Sequence, residues 1–94
     1  MPKTLIVEDN ALFRQMLKEV LISRFPSMRI EEESNGKQLL PRIEAFQPDL
    51  VLMDIRLPGE NGLILTRKLK SLFPGILVVI LTSYDLPEYR QAAQ

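Results

Sequence analysis

Two stretches of this chain admit few folds. Leu50 to Met53 is apolar without a break and runs into a single carboxylate, Asp54; Ile76 to Leu81 (ILVVIL) is a second unbroken apolar run, rich in β-branched residues. A short apolar run bounded by turn signals suits a parallel strand buried on both faces. Gln47-Pro48-Asp49 and Pro58-Gly59 bracket the first run, and Pro74-Gly75 precedes the second. Parallel strands require long crossover connections, usually helices, and the rest of the chain is patterned to supply them.

Thr4 to Val7 reads as a short strand ended by the adjacent carboxylates Glu8 and Asp9. Asn10 can cap the helix that follows, because its side-chain oxygen can accept from an orphan N–H. Leu12, Phe13, Met16, Leu17, Val20 and Leu21 recur at helical spacing and predict one apolar stripe, which Pro26 and the residue before it terminate. Arg29 to Glu33 is rich in charge and fits an edge strand. Asn35-Gly36 opens a helical stretch through Ala45, with Leu39, Leu40, Ile43 and Phe46 as its apolar side. Pro41 falls inside it and predicts either a kink or a helix that starts late. After Gly62, Leu63, Leu65, Leu69 and Leu72 predict a third amphipathic helix with Arg67, Lys68 and Lys70 solvated. The second apolar run ends at Thr82-Ser83, and Asp85 and Pro87 suit the cap and first turn of a last helix. The order β-α-β-α-β-α-β-α implies an α/β fold, a doubly wound parallel sheet with helices on both faces, in one domain over residues 1–94.

Composition narrows the chemistry. Twelve Lys and Arg balance twelve Asp and Glu, so charge offers no reason to expect nucleic acid or membrane as a direct partner. With neither cysteine nor histidine, thiolate and imidazole sites are excluded, and any metal must be a hard cation held by oxygen. No leader or long apolar span is present, and a cytoplasmic protein is expected.

Three strand ends carry Glu8-Asp9, Asp54 and Thr82-Ser83. In a parallel sheet all strand C-termini lie on one edge, where ligands of open α/β sheets bind. Carboxylates brought that close repel unless a cation neutralises them. Glu8, Asp9 and Asp54 would offer charged oxygens to a Mg²⁺ that keeps several waters, with the backbone carbonyl of Arg56 as an extra ligand. Single Asp or Thr residues at strand ends are ordinarily caps and turn residues; three such ends together point to a site.

The acidic pair Glu8-Asp9, the segment D-I-R-L-P-G-x-x-G from Asp54 to Gly62, and L-T-S from Leu81 to Ser83 resemble the receiver domain of two-component response regulators, from Met1 to Gln94. The resemblance implies a flavodoxin-like strand order 2-1-3-4, with the family's fifth strand and fifth helix missing from a truncated domain. It implies that Asp54 accepts a phosphoryl group from a phosphohistidine on a sensor histidine kinase or a phosphotransfer protein. Glu8, Asp9, Asp54 and the Arg56 carbonyl would hold Mg²⁺, Glu8 through water, and Thr82 would hydrogen-bond the phosphoryl group and switch position. It implies a signalling phosphoacceptor rather than a turnover enzyme, feeding a C-terminal output domain such as a DNA-binding one. Glu8 stands where aspartate is commoner, and the lysine that pairs with the phosphoryl group belongs to the missing part; Lys68 and Lys70 are on the third helix.

Two other readings compete. A haloacid-dehalogenase-type phosphatase also places an aspartate after a buried strand, but needs a second acid two residues on, where this chain has Arg56. A receiver-like dimerisation or docking module that works without phosphorylation is the stronger rival. A homodimer is expected, because a fourth strand lacking its neighbour leaves an apolar edge open to pairing.

Overall fold

The computed structural model describes residues 2–81. Its elements in chain order are β1 (Lys3–Val7), α1 (Ala11–Arg24), β2 (Arg29–Glu33), α2 (Leu39–Phe46), β3 (Leu50–Asp54), β4 (Arg56–Leu57), β5 (Glu60–Asn61), α3 (Gly62–Leu72) and β6 (Leu77–Leu81). The main sheet is fully parallel in the order β2-β1-β3-β6, the order expected for the four long strands. The final helix expected from Asp85 and Pro87, and Thr82 itself, lie outside the described residues.

The two central strands form the core for the reason their patterns predict. Leu5, Ile6, Val7, Val51 and Met53 are wholly inaccessible, and burying each such side chain contributes roughly 1.5–3 kcal/mol. Leu5, Val7, Val51 and Met53 point to one face, where Leu39, Ile43 and Phe46 of α2 and Leu69 of α3 close over them. β2 lies at the edge, as its charge predicts, and its alternation sorts its acids between helices. Glu32 pairs with Arg14 and Lys18 of α1 at 3.2 and 3.3 Å. Glu31 and Glu33 face Arg42 of α2, at 2.8 and 3.5 Å. α1 therefore covers one face of the sheet, and α2 and α3 the other.

Of the two outcomes expected for Pro41, the late start holds: the helix begins at Leu39 and Pro41 falls in its first turn. There a missing N–H breaks no intrahelical bond, and no kink is needed. Other expectations need correction. The stripe predicted for α1 is wider than the sheet can cover: Leu12, Met16 and Val20 stay 80, 59 and 60% exposed, and no residue of α1 is fully buried. On α3 the inner residues are Leu65 and Leu69, whereas Leu63 and Leu72 face outward. Lys70 is not simply solvated, because its ammonium donates to the Pro74 and Ile76 carbonyls at 3.0 and 2.7 Å. The loop after Asp54 contains an unpredicted two-residue hairpin, Arg56 opposite Asn61 and Leu57 opposite Glu60, turning at Pro58-Gly59 with Gly59 at φ +70°.

Candidate functional site

The parallel register carries the expected acids to one edge. Val7 lies beside Met53 and Asp54 beside Leu81, so the residues following β1 meet the end of β3. The N–H of Glu8 donates to the Glu33 carbonyl at 3.0 Å, extending the β1–β2 ladder past the last strand residue. Asn10 then caps α1 as predicted, its Oδ1 accepting from the Phe13 N–H at 3.0 Å. Beyond Asp54, the Arg56 N–H donates to Asp54 Oδ1 at 3.1 Å and orients that carboxylate. Gly62 closes the loop by donating to the Ile55 carbonyl at 2.8 Å. A side chain at 62 would overlap the Asp54 carbonyl oxygen, so glycine is required by that close approach.

Glu8, Asp9 and Asp54 each place one carboxylate oxygen within 4.8 Å of the others. Glu8 and Asp54 are buried, at 4 and 7% exposure, while Asp9 is exposed. Burial pushes the Glu8 carboxyl up to about 8; a hydrogen bond with Asp54 and the charges of Asp54 and Asp9 act in the same direction. Glu8 Oε2 is buried and has no hydrogen-bond partner among the described residues, a costly state for a polar atom. An all-oxygen donor set with an orphaned buried oxygen fits a hard divalent cation, which would both satisfy that atom and offset the mutual repulsion.

The site therefore unites the three acids that sequence reasoning singled out. Thr82, expected to join them, lies outside the described residues. Sequence reasoning missed Arg14, whose Nη1 donates to the Glu8 carbonyl at 2.6 Å from the first turns of α1. No sequence signal marks it, because Arg14 lies outside the apolar stripe of α1 and its partners lie outside that helix.

Comparison with known proteins agrees with this fold. The family model for the response regulator receiver domain matches residues 4–94. Transcriptional regulatory protein DegU of Brevibacillus brevis is 31% identical over 84 residues, which is 89% of this chain and 36% of DegU. A protein-glutamate methylesterase/protein-glutamine glutaminase of Paramagnetospirillum magneticum is 40% identical over 85 residues, 88% of this chain and 24% of that protein. This chain thus spans about a third or less of the length of these two relatives. Among solved structures, response regulator TrrA of Thermotoga maritima in complex with Mg(2+)-BeF superimposes with a TM-score of 0.81 at 30% identity, covering 97% of this chain and 76% of that one. The receiver domain of a DNA-binding response regulator from Colwellia psychrerythraea gives 0.84 at 26% identity, covering 94 and 73%. A family match over nearly the whole sequence, with the acids gathered at the strand ends, leads to one conclusion: the chain belongs to the response regulator receiver domain family.

Proposed function

We propose that this domain accepts a phosphoryl group on Asp54 from a phosphohistidine of a sensor histidine kinase or phosphotransfer protein, in a Mg²⁺-dependent reaction, and that the modified domain regulates an output domain. The observation that carries this reading is the convergence of Glu8, Asp9 and Asp54 at the strand ends. In the transfer, an Asp54 carboxylate oxygen bonds to phosphorus as the phosphorus–nitrogen bond to the imidazole breaks, and the released imidazole takes up a proton. Such transfer depends mainly on positioning and charge stabilisation. The Arg56 N–H orients Asp54 for that attack, and the near-complete burial of Asp54 limits competing water. Glu8, Asp9, Asp54 and the Arg56 carbonyl would hold the Mg²⁺, which supplies positive charge to the transferring phosphoryl oxygens. Thr82 would hydrogen-bond the phosphoryl group. In this reading the domain is a phosphoacceptor and does not itself turn over a substrate, and it works in the cytoplasm alongside its kinase. Relatives described as transcriptional regulatory or DNA-binding proteins support an output domain that contacts DNA; the balance of twelve basic and twelve acidic residues gives the receiver itself no electrostatic reason to do so.

Mg²⁺ titration of the wild-type protein should show saturable binding that Asp9→Asn and Asp54→Asn each weaken. Beryllofluoride should modify the wild type only with Mg²⁺ present and leave Asp54→Asn unmodified. Equal Mg²⁺ binding by all three proteins would remove the site from this account, and labelling that persists in Asp54→Asn would remove Asp54 as acceptor. A second observation supports self-association: β6 is the outer strand among the described residues, with Leu77 and Val79 on the α1 face 61 and 42% exposed. We propose that two copies associate through this edge and face as a twofold dimer, an arrangement open to the phosphorylation-independent docking role as well.

A further inference from the structure

Arg14 is the side chain that ties the acidic turn to the rest of the fold. From α1 its Nη1 donates to the Glu8 carbonyl at 2.6 Å, while its Nε donates to Glu32 Oε1 on β2 at 3.2 Å. The second oxygen of Glu32 accepts from Lys18 at 3.3 Å, one helical turn further along α1. The other side of Glu8 is held by β2 as well, through its N–H to the Glu33 carbonyl at 3.0 Å. Both backbone polar groups of Glu8 are thus fastened, one by the ladder and one by a guanidinium that is itself anchored on the next strand residue. The planar guanidinium holds its two acceptors in fixed directions, whereas an ammonium donates from a single point on a flexible stem and fixes their relative placement less well. The Arg14 side chain is 20% exposed, so the link is shielded from solvent more than a surface ion pair is.

We infer that Arg14 is a positioning residue for the cation site: by clamping the Glu8 carbonyl to Glu32 it sets where the Glu8 and Asp9 carboxylates stand relative to Asp54. This rests on the reading of Glu8, Asp9 and Asp54 as a Mg²⁺ site and adds a determinant outside the acids themselves. Arg14 touches neither cation nor phosphoryl group. Its effect passes through the backbone at residue 8, as partners behind metal ligands commonly act.

The test is Mg²⁺ affinity measured beside thermal stability in four proteins: wild type, Arg14→Lys, Glu32→Gln and Lys18→Ala. Arg14→Lys keeps the positive charge but loses the fork, and should weaken Mg²⁺ binding by ~10-fold, the scale typical for partners behind metal ligands. Glu32→Gln should weaken it in the same direction, by less, because Arg14 keeps the Glu8 carbonyl. Lys18→Ala removes the more exposed ion pair to the same Glu32, Lys18 being 34% exposed against 20% for Arg14, and should leave Mg²⁺ affinity unchanged. A purely structural Arg14 predicts Mg²⁺ affinity unchanged in Arg14→Lys whatever happens to its melting temperature, and that result overturns the inference. Wild type that binds no Mg²⁺ overturns the cation site and this inference together. Wild type that binds, with Arg14→Lys binding equally well, overturns this inference alone.

Discussion

At the scale of single residues, Glu8 has the most consequence for chemistry. Its carboxyl titrates near 8 in the folded chain against an ordinary value of 4.5, chiefly because it is buried, with Asp54 and Asp9 adding to the shift. The folded protein therefore holds a proton that the unfolded chain has released between those two values. The stability this contributes to the metal-free fold is complete below about pH 4.5 and is lost as pH rises through about 8. A cation must displace the same proton. Apparent Mg²⁺ affinity should accordingly rise with pH up to about 8 and then level off. In Glu8→Gln it should be weaker and nearly flat over that window, while the metal-free variant keeps its stability at high pH. Calorimetric titration and thermal melts across the range check both. The three acids were legible in sequence because each directly follows or ends a recognisable strand, and parallel topology sends all such ends to one edge. Arg14 was not legible, because its partners Glu8 and Glu32 come together only when α1 packs on the sheet.

At the scale of elements, local chemistry and packing divide the work. Asn10 and Asn61 cap α1 and α3, Asn61 accepting from the Leu63 and Ile64 N–H groups at 2.8 and 3.3 Å. Both are decided within four residues. The start of α3 is also pressed against the loop bearing Asp54, leaving no room for a Cβ at Gly62. Gly62→Ala should therefore destabilise the fold by ~1–3 kcal/mol, the usual range for overpacking a tight contact. It should also weaken Mg²⁺ binding, since the backbone that must move belongs to Asp54. Denaturant melts and cation titration of the one variant check both effects. The late start of α2 was a visible alternative because proline tolerates the first turn but not the interior. The β4–β5 hairpin was not visible, since strands of two residues leave no alternation to read.

At the scale of the molecule, surface apolarity is unevenly distributed. Leu12, Met16 and Val20 on α1, with Leu77 and Val79 on the same side of the sheet, remain exposed together. Flat apolar edge strands without charge or proline pair readily with other chains. The domain should therefore show concentration-dependent association by sedimentation or light scattering, and Val79→Lys should shift it toward monomer. A wild type that stays monomeric at high concentration would mean that this face is covered within one chain.

Among the described residues, the sequence by itself determined the order of the four long strands and three helices, the parallel sheet and the three acids at its edge. These depend on hydrophobic period, turn residues and the handed, one-directional geometry of parallel strands, all of them local or topological rules. Only the tertiary structure decided which flank of each amphipathic helix is covered, so that Phe13 and Leu17 tuck inward while Leu12 and Met16 do not. It also decided that Arg14 joins Glu8 to Glu32, and that Gly62 abuts the Asp54 carbonyl. The physical reason is shared. Period shows that a face is apolar, but its width against the facing sheet, and the meeting of residues distant in sequence, are set by how elements pack.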